Sequence, residues 1–206
     1  IARFTGRQRA LLFSTGYMAN LGAIVALTQK GETIFQDRLN HASLIDAGRL
    51  SDATMWRYPH SNTDKLIQRL ERYETSSMII TDGVFSMDGD CAKLDMLANI
   101  AQQHQCWLMV DDAHGFGVLG PSGAGLVEQD GLDSDEVPIL MATLGKAAGT
   151  AGAFIAGDHD VVEFLIQSAR TYVFTTAMPP AVAAAGRMSL KLMQEESWRR
   201  EQLQRN

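Results

Sequence analysis

The chain turns on Leu108–Gly115, which reads LMVDDAHG. Trp107, Leu108, Met109 and Val110 are four consecutive apolar residues, a short strand followed at once by two carboxylates and a histidine. Continuous apolarity, in place of alternation, marks a strand covered on both faces, as in a parallel sheet flanked by helices. Open α/β sheets place ligand chemistry just outside the carboxyl ends of such strands, where Asp111, Asp112 and His114 enter a turn of small residues. Successive strand residues point to opposite faces, so only one of Asp111 and Asp112 can address a given ligand.

Outward from this stretch, strand and helix alternate. Arg9–Ser14 reads as a strand entering Thr15-Gly16-Tyr17, and Met18–Gln29 carries apolar residues at helical spacing until Gly31. Such a turn aims backbone N–H groups and a helix N-terminus past the strand end, which suits an anion such as phosphate. Thr33–Gln36 is a second strand, with His41 just ahead of a helix over Leu44–Leu50. Ala53–Tyr58 is a third, followed by a helix that Ser61–Asp64 caps. Met78–Thr81 is a fourth, leading into the loop Asp82–Asp90 and a helix with Leu94, Leu97, Ile100 and Ala101 on one face. Beyond Gly115, the glycine- and acid-rich Gly117–Gly131 predicts a surface excursion. Strands follow at Val137–Ala142 and Gly152–Ala156, then a helix over Val161–Arg170, and a long final helix beginning at Pro179. This pattern predicts the α/β class, with a mostly parallel seven-stranded sheet and helices on both faces.

Composition excludes several function classes. The 206 residues are 46% hydrophobic, enough for a sizeable core. A net charge of −6, with 24 acidic and 18 basic residues dispersed along the chain, offers no basic face for nucleic acid. No apolar run approaches the roughly 20 residues of a membrane span. Cys91 and Cys106 form no disulfide framework and no zinc-ligand spacing, which fits a reducing, cytoplasmic location without a metal.

Several strand ends carry residues that suit a single chemistry, namely Gly16 with Tyr17, His41, Ser86, Asp111 with His114, and Thr143 with Lys146. Lys146 lies among Gly145, Ala147, Ala148 and Gly149, without bulky neighbours or an acidic partner close in sequence. A lysine, an acid, stackable rings and a helix N-terminus match pyridoxal phosphate chemistry. The lysine forms a Schiff base, the acid keeps the ring nitrogen protonated, and the helix end holds the phosphate. Either Asp111 or Asp112 can serve as the acid on these grounds.

DRLNHASLIDA (37–47), DGVFSMDGD (82–90), LMVDDAHGFGVLG (108–120), TLGKAAG (143–149) and FTTAMPPA (174–181) together resemble the α-oxoamine synthases, which are fold type I pyridoxal-phosphate enzymes. The motifs keep the family's order and span almost the whole chain. The resemblance implies Lys146 as the cofactor-linked lysine and α-proton base. Asp111 falls on the ring nitrogen, His114 and Ser86 on the phenolic oxygen, and His41 on the ring face. Gly16, Tyr17 and Thr143 match the phosphate site. Thr175 and Thr176 match a segment that reaches the partner subunit's phosphate, implying a homodimer.

The implied reaction is a decarboxylative condensation of an amino acid, L-alanine in the members most alike, with a pimeloyl thioester carried by coenzyme A or an acyl carrier protein. Sister enzymes that use glycine, and a non-catalytic fragment or partner subunit of the same fold, are the competing expectations. Members also carry an N-terminal arm and a C-terminal domain with a carboxylate-binding arginine. Residues 1–206 are therefore expected to be the large cofactor domain of a longer enzyme, weakly active or inactive alone.

Overall fold

The alternating strands and helices assemble around one sheet in the computed structural model, which describes residues 1–73 and 75–206. The strands are β1 (Arg9–Phe13), β2 (Thr33–Asp37), β3 (Thr54–Tyr58), β4 (Ser76–Asp82), β5 (Trp107–Asp111), β6 (Ile139–Thr143) and β7 (Ala153–Gly157). Their order across the sheet is β1-β7-β6-β5-β4-β2-β3. Only β7 runs against the rest, pairing antiparallel with both β1 and β6. The carboxyl ends of β1 through β6 therefore share one edge of the sheet.

Nine helices are present among the described residues. They are α1 (Gly16–Leu27), α2 (Ala42–Leu50), α3 (Thr63–Leu70), α4 (Leu94–Gln103), α5 (Leu126–Gln129), α6 (His159–Ser168), α7 (Arg170–Val173), α8 (Pro180–Glu195) and α9 (Trp198–Arg205). Thr15 starts α1 by accepting a hydrogen bond from Met18 N, and Asn62 does the same for Lys65 N at α3.

Strand alternation divides the core between the two faces. Ile34, Met78, Ile80, Met109, Met141 and Ile155 pack on one side with Ala19, Ala23 and Ile24 of α1 and Leu44 of α2. Phe35, Ile79, Leu108, Val110 and Leu140 pack on the other with Leu66 and Leu70 of α3 and Leu94 and Leu97 of α4. Each fully buried Leu, Ile, Val, Met or Phe among them contributes about 1.5–3 kcal/mol. This two-sided cover explains why the strands read as continuous apolar runs.

Because α2 and α4 lie on opposite faces, the chain winds in opposite directions from the adjacent strands β2 and β4. The loops leaving these two strands separate at their carboxyl ends, and the resulting crevice is where such sheets bind ligands.

Three expectations are revised. Gly117–Gly131 is no simple surface excursion: it contains α5, and Ala124, Leu126 and Val127 are buried. The long final helix divides at Glu196–Ser197 into α8 and α9. Pro138 also falls just before β6 and not inside it.

Candidate active site at the carboxyl edge of the sheet

Asp111 ends β5 in phase with Met109, on the face that α1 covers, and is 5% exposed. Its Oδ2 accepts from Asn20 Nδ2 at 2.7 Å and its Oδ1 from Ala113 N at 3.1 Å. Burial pushes its carboxyl up, while these donors and the charges of Lys146 and His41 draw it back.

Asp112, one residue on, points to the opposite face and is fully buried. It accepts from Leu126 N at 2.7 Å, which ties the 117–131 segment down onto the sheet. Gly125 makes this approach possible, since a Cβ there would lie 1.9 Å from Asp112 Oδ2 and its φ is +110°. The fixed loop explains why 117–131 is packed despite its polar composition. The two acids thus separate by face, one toward the cavity and one beneath a loop.

Lys146 is presented by a tight turn after β6. Thr143 Oγ1 donates to Gly152 O at 2.9 Å and accepts from Gly145 N at 3.2 Å, while Gly149 N donates to Lys146 O at 2.9 Å. The Thr143 hydroxyl proton is thereby committed to shaping the turn. Lys146 Nζ lies 2.7 Å from His114 Nε2. Burial lowers the Lys146 amine below its ordinary value against the pull of Asp111 and Asp82, favouring the neutral, nucleophilic form. Burial and then the Lys146 charge lower His114 as well.

His41 forms the N-cap of α2 and is held against β4 by a reciprocal clasp. His41 N donates to Asp82 Oδ2 at 2.7 Å, Asp82 N donates to Asn40 Oδ1 at 3.1 Å, and Asn40 Nδ2 donates to Ile80 O at 2.8 Å. Asp82 is 6% exposed and borders the same cavity. Burial, reinforced by Asp111, pushes its carboxyl up to about 8.

Gly16 and Tyr17 open α1, where the first backbone N–H groups have no acceptor within the helix. A Cβ at Gly16 would come within 3.2 Å of Met141 Cε, so glycine keeps the space above the helix end open. Tyr17 OH donates to Asp46 at 3.0 Å.

Gly16, Tyr17, His41 and Ser86 line one cavity of about 200 Å³ together with Asp111, His114, Thr143 and Lys146. Thr175 and Thr176 do not reach it; they border a separate groove with Leu12, Phe13 and Tyr172. A larger groove at the opposite end of the strands, beside Leu27, Trp107 and Phe164, carries the carboxylates of Glu32, Asp158 and Asp160 with no lysine or histidine in its lining. Asp82, Ser43 and Asn20 belong to the site although their sequence context did not single them out. Asp82 was visible only as the first residue of DGVFSMDGD. Asn20 and Ser43 fall inside helical patterns that carry no mark of a site.

The family model for aminotransferase class I and II matches residues 1–206. The 8-amino-7-oxononanoate synthase of Pseudomonas aeruginosa (strain LESB58) is 59% identical over 203 residues, 98% of this chain and 51% of the relative. A solved 8-amino-7-oxononanoate synthase from Francisella tularensis superposes with a TM-score of 0.88 at 39% identity, covering 99% of this chain and 59% of that one. A serine palmitoyltransferase from S. paucimobilis with a bound PLP–myriocin aldimine gives 0.94 at 35% identity, covering 98% and 51%. The chain thus spans about half the length of the relatives it matches. The sheet order, the helices on both faces and the match over residues 1–206 establish that the chain belongs to the aminotransferase class I and II family, with an α/β fold that matches fold type I.

Proposed function

We propose that this chain is the pyridoxal-phosphate-binding large domain of an 8-amino-7-oxononanoate synthase. The observation that carries the reading is the convergence of Lys146, Asp111 and the Gly16 helix end on one cavity. The residues fit the cofactor at three points. The open N–H groups of Gly16 and Tyr17 suit its phosphate, doubly hydrogen-bonded Asp111 suits a protonated ring nitrogen, and the Lys146 amine suits its aldehyde carbon. When bound, pyridoxal phosphate supplies an electron sink for negative charge at the substrate α-carbon.

The chain's own groups then divide the work. Lys146 Nζ takes the proton from the amino-acid α-carbon, and burial favours the unprotonated amine that this requires. Asp111 would hold the proton on the ring nitrogen. His114 and Ser86 would address the ring's phenolic oxygen, and His41 would cover the ring face. The Thr143 hydroxyl accompanies the phosphate turn, although its own proton is engaged by Gly152 O. Overall, L-alanine and a pimeloyl thioester, carried by coenzyme A or an acyl carrier protein, give 8-amino-7-oxononanoate, carbon dioxide and the free thiol. The choice of this substrate pair rests on the 59% identity to the Pseudomonas relative.

Thr175 and Thr176 are assigned to the partner subunit's site in a homodimer. Their distance from this chain's own cavity and the exposure of neighbouring Phe174 and Val173 support that assignment. Free Cys91 and Cys106 are in keeping with a reducing, cytoplasmic setting, and no described helix is long and apolar enough to cross a membrane. The N-terminal arm and C-terminal domain of the complete enzyme are taken to supply the rest of the substrate pocket.

A substrate panel on the complete enzyme tests the reading. With pimeloyl thioester, release of carbon dioxide from L-alanine should far exceed release from glycine. The reverse preference assigns the chain to a glycine-using sister enzyme, and no turnover with either assigns it to a non-catalytic subunit.

A further inference from the structure

Asn20 is a buried amide that the chemistry above does not use. It stands one turn into α1, with no exposed surface, and its Nδ2 donates both protons. One goes to Asp111 Oδ2 at 2.7 Å and the other to Ser43 Oγ at 2.8 Å. Ser43 Oγ lies 2.7 Å from His41 Nδ1, and Ser43 N donates to the same ring nitrogen at 3.2 Å.

Counting protons fixes the direction of each bond. His41 Nδ1 accepts from a backbone N–H, so it carries no proton, and the Ser43 hydroxyl must donate to it. The hydroxyl's lone pair then accepts from Asn20. In neutral His41 the remaining proton is on Nε2, which leaves an N–H donor at the far side of the ring. The amide orientation is fixed as well. Asn20 Oδ1 has no hydrogen-bond partner among the described residues, and the flipped amide would aim this oxygen at Asp111. Leaving a buried carbonyl unpaired is costly, so the two donated bonds must outweigh it.

We propose that Asn20 is a positioning residue that, directly and through Ser43, holds Asp111 as an accepting carboxylate and His41 as its Nε2–H tautomer. One buried amide thereby sets both the acid assigned to the ring nitrogen and the imidazole assigned to the ring face, an assignment that rests on the pyridoxal phosphate reading of the cavity. Donation to a buried carboxylate favours its charged form, and a charge-assisted bond of this length is among the stronger ones. Burial alone would favour a neutral acid, which cannot hold a proton on the ring nitrogen. A purely structural role would ask only that the volume be filled.

The experiment separates these roles with Asn20→Leu, which keeps the volume and removes both donors, and Ser43→Ala, which removes only the branch to His41. In the cofactor-free protein, ¹⁵N NMR of the histidine rings should show His41 with an unprotonated Nδ1 and a protonated Nε2. Both variants should shift this signal toward a tautomer mixture. Asn20→Leu should also weaken pyridoxal phosphate binding by about ten- to hundredfold, and move the pH profile of the bound cofactor's absorbance. Ser43→Ala should alter binding much less. An Asn20→Leu protein with wild-type affinity and pH profile overturns the proposal. If Asn20→Leu does not fold, an unchanged His41 signal in Ser43→Ala overturns it instead. A wild-type protein that binds no pyridoxal phosphate refutes the cofactor reading separately, because the tautomer measurement needs no cofactor.

Discussion

Asp82 stands directly opposite Asp111 in the register of the parallel strands β4 and β5, so both carboxyls emerge on the face that α1 covers. Two buried acids side by side resist joint ionisation, and Asp82 absorbs the strain, its carboxyl pushed up to about 8 by burial and by Asp111. Asp111, with two hydrogen-bond donors, is the better placed to carry the charge.

The pH dependence of stability follows from this pairing. Between about pH 4, where an unfolded aspartate releases its proton, and about pH 8, folded Asp82 keeps a proton that the unfolded chain has lost. Stability of the cofactor-free protein should therefore fall as pH rises through this window. Asp112, also pushed up to about 8 by burial, adds to the same slope. Asp82→Asn keeps an acceptor for His41 N and should flatten the dependence of Tm on pH. Parallel Tm curves for the two proteins would refute the assignment.

The two acids after β5 should differ in kind. Asp111→Asn removes the charge beneath the proposed ring site and should lower turnover of the complete enzyme by roughly a hundredfold or more. Asp112→Asn retains an oxygen for Leu126 N and should affect mainly the packing of 117–131, seen as faster amide exchange there. Equal losses of turnover would contradict the division by face.

His60 joins the loop bearing Ser86 to the end of β2. Its Nδ1 lies 2.9 Å from Asp37 Oδ1 and its Nε2 2.9 Å from Asp90 Oδ2. Burial lowers its basicity, but the two carboxylates outweigh burial and raise it overall. The clamp is therefore fully present below about pH 6.5 and is lost as pH rises through the higher folded value. His60→Ala should cost about 1 kcal/mol at pH 6 and progressively less toward pH 9, measured by denaturant unfolding. A cost that does not vary with pH would argue that the ring only packs against Phe85.

Much of the architecture was legible because the sheet is covered twice. Strands such as Met109 between Leu108 and Val110 read as unbroken apolar runs, and polar residues collect where those runs stop. What stayed hidden depends on register and on distant partners. The pairing of Asp82 with Asp111 is set by strands brought together only on folding. Asn20 sits where a helical pattern predicts core, and its partners come from β5 and α2. The 117–131 segment has a loop's composition, and its burial follows from the Asp112 bond to Leu126 N. Lys146 and His114 were each recognisable, but their 2.7 Å contact depends on how the turns after β5 and β6 close.

Pyridoxal phosphate is proposed to attach to Lys146. Protein loaded with the cofactor should show a visible absorbance band that borohydride bleaches, and peptide mapping should find the reduced label on Lys146. Lys146→Ala should carry no label fixed by borohydride. A label on Lys30, Lys65, Lys93 or Lys191, or a label still fixed by borohydride in Lys146→Ala, would contradict this assignment.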